Sequence, residues 1–236
     1  MKILALDTSG LVASAAVMQD DVLIAEFTVC YKKTHSQTLL PMLAQIRESI
    51  ELDLDSLDAV AVASGPGSFT GLRIGAATAK GLGLALEKPL VEVPTLEGLS
   101  YHFWGSASLV CPLMDARRGQ VYAGIYAFEK QGDDWELKSI EPGSAVEVNR
   151  MIEKVNALGR EVIFLGDGVP VYAERIRQWA AVPHSFAPPH KNRQSAACVA
   201  ALGARYYTRG RYVTAAQHSP QYFRVSQAER SRNADG

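Results

Sequence analysis

The chain is short of the residues that build cross-links and metal centres. It has three cysteines, Cys30, Cys111 and Cys198, scattered and odd in number. They form no CxxC pair and no disulfide framework. Its five histidines, His35, His102, His184, His190 and His218, include no HxxxH or HExxH pair. None stands at ligand spacing from a cysteine, so no zinc motif is present. Net charge is also scarce: the formal value is -1 over 236 residues. That argues against a protein gripping nucleic acid through bulk charge alone. No apolar run reaches the length of a membrane span. Met1 leads straight into a strand pattern, without the charged and apolar regions of a secretory signal. A reduced, soluble, cytoplasmic protein is expected, with no membrane partner.

What is present is apolar: hydrophobic residues make up 47% of the chain and charged ones 21%. A sizeable core follows, in one large domain or two small ones. Lys2–Asp7, Ala13–Met18 and Val22–Val29 read as an antiparallel three-strand meander. In Ser36–Glu51, Leu39, Leu43, Ile46 and Ile50 recur at helical spacing, with Pro41 early in the segment. Strand Ala59–Ala63, helix Phe69–Leu86, strand Leu90–Val93 and a helix opening at Pro94-Thr95 follow.

The order then repeats. Leu109–Met114 runs into Asp115, and Gln120–Phe128 and Trp135–Ile140 complete a second meander. Helix Ala145–Leu158, strand Val162–Leu165, the turn Gly166-Asp167-Gly168 and helix Val169–Trp179 come next. Asp7 and Asp115 each end the first strand of a copy, and a glycine turn follows the fourth strand in each. The expected architecture is α/β with two related lobes. Residues 1–104 form the first lobe, completed by a C-terminal helix, 192–224. Residues 105–191 form a smaller second lobe, and 225–236 a tail. Bases outnumber acids from Lys191 onward, so this segment suits either RNA or a solvated surface.

The stretch Gly65-Pro66-Gly67-Ser68-Phe69-Thr70-Gly71-Leu72-Arg73-Ile74-Gly75 is the densest motif. Strand, glycine turn and helix start is anion-binding geometry. The spacing nevertheless misses three chemistries. GxxxxGK[ST] is absent, so there is no Walker loop. The third glycine of a dinucleotide fingerprint comes one place late. A GxSxG elbow would need glycine where Pro66 stands. Ser68 is expected to cap the following helix. On that helix Gly71, Gly75, Ala79 and Gly83 share one face, each glycine costing about 1 kcal/mol against alanine. Such a stripe packs either on the chain's own sheet or against another helix. Asp7-Thr8-Ser9, with Asp115 and Gly166-Asp167-Gly168, would suit a nucleotide cleft; all are also ordinary turn residues.

LALDTS (Leu4–Ser9), HSQTLLP (His35–Pro41), GPGSFTGLRIG (Gly65–Gly75) and the ending PQYFR (Pro220–Arg224) together resemble the TsaB family, also called YeaZ. The resemblance implies an ASKHA fold (actin-like and sugar-kinase-like, related to ribonuclease H). It implies a role in forming threonylcarbamoyladenosine next to the anticodon of tRNAs that read codons beginning with A. In that pathway the paralogue TsaD is the transferase, and the ATPase TsaE joins it. A TsaB-like chain is the non-catalytic partner of TsaD, a scaffold for TsaD and TsaE, and a homodimer through its two first-lobe helices. tRNA is met only indirectly, through the complex. The implied interface is His35, Leu39, Leu43, Ile46, Gly71, Leu72, Gly75, Ala79 and Gly83. Asp7, Thr8, Ser9, Asp115, Gly166, Asp167 and Gly168 become a remnant nucleotide cleft. No catalytic residue, metal or cofactor is expected, and ATP or ADP is not expected to bind this subunit alone. The alternatives are an active ASKHA phosphotransferase or hydrolase, an NAD-dependent enzyme, and a peptidase.

Overall fold

The computed structural model describes residues 1–31 and 34–223. The expected tail at 225–236, and Arg224 of the PQYFR ending, lie outside the described residues. The first meander is β1 (Lys2–Asp7), β2 (Ala13–Gln19) and β3 (Val22–Val29). Then come α1 (His35–Ser49), β4 (Ala59–Gly65), α2 (Phe69–Ala85), β5 (Leu90–Pro94) and α3 (Thr95–Ser100). The sheet order is β3-β2-β1-β4-β5. β1 pairs antiparallel with β2 and parallel with β4, and β4 runs parallel to β5.

The second set is β6 (Leu109–Asp115), β7 (Gln120–Gln131), β8 (Asp134–Glu147), α4 (Val148–Leu158), β9 (Val162–Leu165), α5 (Val169–Trp179) and β10 (His184–Phe186). Its order, β10-β9-β6-β7-β8, repeats the first with the same parallel and antiparallel pairings. α6 (Ala196–Thr208) returns to the first sheet.

Local chemistry sets the boundaries. The amide of Thr34 donates to the Gln37 side chain at 3.3 Å, opening α1. Pro41 sits on an exposed face, and the helix continues through it to Ser49. Ser68 Oγ accepts from the Gly71 amide at 3.3 Å, the cap read from the sequence. Two expectations need correction. Ala145–Glu147 is strand, not helix, because it pairs with Gln120–Tyr122. β8 crosses Pro142 because the register shifts there; a bulge tolerates a residue with no N–H to donate. The C-terminal helix covers only Ala196–Thr208, ending near Gly210 at φ 72°.

α1 and α2 cover one face of the first sheet and α6 the other, so β1, β2 and β4 are buried on both sides. Leu96 and Leu99 of α3 share a cluster with Val110, Met114, Tyr126, Phe128 and Leu165, which joins the two sheets apolarly. At its margin Arg205 forks onto Asp134 at 2.9 and 2.6 Å, and Arg209 reaches Glu136 at 3.0 Å.

Candidate functional site

The first loop begins where β1 ends. Asp7 is buried and accepts from the amide and hydroxyl of Ser9 at 2.9 and 2.6 Å. Burial lifts its carboxyl to about 6; the Ser9 bonds and the nearby His35 oppose that. Thr8 Oγ1 donates to the Gly71 carbonyl at 2.7 Å, and the Ser68 amide donates to the Ser9 carbonyl at 2.7 Å. The His35 ring meets the Gly10 carbonyl at 2.9 Å. The starts of α1 and α2 are therefore bonded onto this loop. The glycine-rich turn serves the same contact. A Cβ on Gly67 would lie 2.3 Å from the Ser9 carbonyl oxygen, and one on Gly71 2.1 Å from that of Thr8.

The second loop is built from Asp115 and Gly166-Asp167-Gly168. The Asp115 amide donates to Asp167 Oδ1 at 3.0 Å. Burial raises the Asp167 carboxyl, opposed by that bond and by Arg193. Asp115 Oδ1 accepts from the Arg117 amide at 2.9 Å. Gly166 and Gly168 press on the Leu113 carbonyl, where a Cβ would stand 2.3 and 2.9 Å from its oxygen. The sequence residues thus gather in two clusters: Asp7, Thr8 and Ser9 with His35 and Gly71, and Asp115 with Gly166, Asp167 and Gly168.

What joins them escaped the sequence reading. Asn192 Oδ1 accepts from the Gly166 amide at 2.7 Å, in the second lobe. Two residues on, the buried Gln194 amide occupies the space beside Gly10, where a Cβ would lie 2.2 Å from its Nε2. Asn192 and Gln194 belong to no motif, and only the fold brings them to both loops. Among the described residues no group of three or more His, Cys, Asp or Glu side chains is placed to hold a metal ion.

The interface residues divide differently. Leu39, Ile46, Gly71, Leu72, Gly75, Ala79 and Gly83 are buried inside this chain. A Cβ on Gly75 would stand 2.5 Å from Thr8 Oγ1, and one on Gly83 2.8 Å from Leu90 Cδ2. The small-residue stripe therefore packs on the chain's own sheet and is not a surface for another subunit. His35 and Leu43 are half-buried. The outward faces of the same helices carry Leu40 and Leu84, 62% and 65% exposed, with Ala44, Ala77 and Gly81. A Cβ on Gly81 would meet nothing within 4 Å.

Two lobes with one repeated strand order, a parallel core flanked by an antiparallel meander, define a duplicated α/β protein. A family model described as TsaD, tRNA N6-adenosine threonylcarbamoyltransferase, matches residues 29–230. The tRNA threonylcarbamoyladenosine biosynthesis protein TsaB of Bacillus subtilis is 35% identical over 176 residues, 75% of each chain. Its Escherichia coli namesake is 35% identical over 170 residues, 71% of this chain and 72% of that one. The solved structure of YeaZ from Pseudomonas aeruginosa, 28% identical, superposes with a TM-score of 0.78 over 94% of this chain and 99% of its own. The chain belongs to the TsaB (YeaZ) family of tRNA threonylcarbamoyladenosine biosynthesis proteins. No helix among the described residues is long and apolar enough to cross a membrane.

Proposed function

We propose that this chain is the non-catalytic partner and activator of TsaD, and the scaffold on which TsaD and TsaE assemble to form threonylcarbamoyladenosine on tRNA. The observation that carries the reading is the outward face of α1 and α2. Their inward faces are fully used by the chain's own sheet, yet Leu40 and Leu84 still stand more than half exposed beside Ala44, Ala77 and Gly81. Two adjacent helices that keep large apolar side chains in water invite a second pair of helices. A paralogue or a second copy presents such a pair, so TsaD and a homodimer compete for one surface.

The state of the loops supports a role without chemistry. Asn192 takes the Gly166 amide, Gln194 fills the space at Gly10, and Asp7 is wrapped by Ser9. These internal contacts support the reading that ATP and ADP do not bind this subunit alone. The deciding experiment is nucleoside analysis of tRNA from cells depleted of the protein, with reconstitution of TsaD activity in vitro. Threonylcarbamoyladenosine should fall, and purified TsaD should need this chain for activity. Unchanged modification after depletion would sink the reading.

A further inference from the structure

The β6–β7 turn is built at a conformational cost that its fold does not require. Arg117, Arg118 and Gly119 stand in succession at φ 64°, 57° and 75°. Only glycine adopts that region freely; asparagine and aspartate tolerate it, and arginine is poorly suited. Asn-Gly or Gly-Gly would close such a hairpin with less strain. Among the described residues this is the one place where two consecutive non-glycine residues are left-handed.

A carboxylate is committed to holding the turn. Asp115 Oδ1 accepts from the Arg117 amide at 2.9 Å, while its own amide is fixed on Asp167. The Tyr172 hydroxyl reaches the same oxygen at 3.5 Å. What the arrangement achieves is outward display of two guanidiniums. Arg117 is 81% exposed, at 3.4 Å from Asp115 Oδ2. Arg118 is exposed and has no side-chain partner among the described residues. Arg117 and Arg193 both act on Asp167, and Arg175 and Arg117 on Tyr172. In a chain of net charge -1, Arg117 and Arg118 thus stand exposed side by side at one hairpin tip.

We propose that the Arg117–Arg118 turn is a phosphate-contacting edge that binds the backbone of tRNA within the assembled complex. The guanidinium fork matches phosphate oxygens, and a hairpin tip held at the Arg117 amide by Asp115 presents both forks side by side. The inference rests on the proposed role beside TsaD, since an RNA must be brought to this face.

The test uses the full chain mixed with TsaD and a fluorescent, unmodified tRNA transcript, titrated from 50 to 200 mM salt. R117G/R118G should bind about tenfold more weakly at the low end, and its salt slope should be shallower by about 2, one per lost phosphate contact. Because glycine relieves the turn, its melting temperature should stay level or rise, which separates lost contacts from lost structure. R117K/R118K keeps both charges but loses the forks, so its salt slope should match the parent's while its affinity falls between those of the parent and R117G/R118G. Equal affinity and slope for parent and R117G/R118G would overturn the inference. So would weakened capture of TsaD by R117G/R118G, which would make the turn a contact for an acidic protein face. Failure of the parent chain to capture TsaD at all would instead strike the role on which the inference rests; tRNA binding by the parent chain alone, with the same loss in R117G/R118G, would then still uphold the edge, and no such difference would reject it.

Discussion

Thr8 and Gly71 are interlocked. A Cβ on Gly71 would stand 2.1 Å from the Thr8 carbonyl oxygen, and the Thr8 hydroxyl donates to the Gly71 carbonyl at 2.7 Å. The end of β1 and the first turn of α2 therefore meet backbone to backbone. Gly71→Ala should cost about 3 kcal/mol, at the upper end of overpacking penalties, because the obstructing atom is main chain and cannot rotate away. Gly81→Ala on the same helix should gain about 1 kcal/mol, since its Cβ enters open space. Urea midpoints of the two variants check the contrast. Similar stabilities would mean that α2 is seated differently on the sheet.

The outward face predicts a separation of folding from assembly. Leu40→Asp and Leu84→Asp place charge on residues already 62% and 65% exposed, so the fold should lose about 0.5 kcal/mol or less. Capture of TsaD, and self-association, should fall at least tenfold. By contrast Gly75→Val would unseat the helix, because Thr8 Oγ1 stands 2.5 Å from the site of its Cβ. Size-exclusion chromatography of the variants with and without TsaD reads both effects. Full-strength pairing by Leu84→Asp would move the interface elsewhere.

Much of the fold was legible from strand order. The two meanders, the strands after α1, α2 and α4 and the glycine turn behind each fourth strand all appear as read, while β10 lies in a stretch read as loose, because it is held only by pairing with β9. So does the Ser68 cap, a local signal spanning three residues. The direction of the small-residue stripe was not legible. Helical spacing says that Gly71, Gly75, Ala79 and Gly83 share a face; it does not say what that face meets. The answer lies at Thr8 and Leu90, brought there by the sheet. Ala145–Glu147 misled for a related reason, because pairing with β7 outweighed local preference. Arg117 and Arg118 gave no sign of their turn, since arginine is not a left-handed residue by habit.

Asn192 tests whether the two lobes are tied through the segment before α6. Its side-chain oxygen takes the Gly166 amide at 2.7 Å, and Gly166 is buried. Asn192→Ala leaves that donor unpaired, which should cost about 1–3 kcal/mol. Amide exchange at Gly166 should quicken, while exchange in β1 stays as slow as the global stability allows. An unchanged Gly166 exchange rate would show that the bond carries nothing.

Asp7 gives the pH dependence. Burial raises its carboxyl from 3.8 to about 6 in the folded chain, so the native state holds the proton more tightly than the unfolded one. Below pH about 4 the group is protonated in both states and imposes no penalty. As pH rises from about 4 to about 6 the unfolded chain ionises first, and the fold loses stability. Above pH about 6 the loss levels off at about 3 kcal/mol, the free-energy equivalent of that displacement. Asp167, also raised by burial, adds a slope of the same sign, and Asp134, held at about 2 chiefly by the Arg205 hydrogen bond, one of the opposite sign at lower pH. The informative quantity is therefore the difference between the parent chain and Asp7→Asn. The Asn oxygen can accept from the Ser9 amide and hydroxyl as Asp7 Oδ1 does, so the loop is kept while the charge is removed. Urea denaturation from pH 4 to 7.5 should find the stability of Asp7→Asn relative to the parent rising by about 3 kcal/mol between pH 4 and 6.5 and flat above. A difference independent of pH would mean that Asp7 ionises in the folded chain as it does in the unfolded one, and that the loop at the end of β1 is open to water.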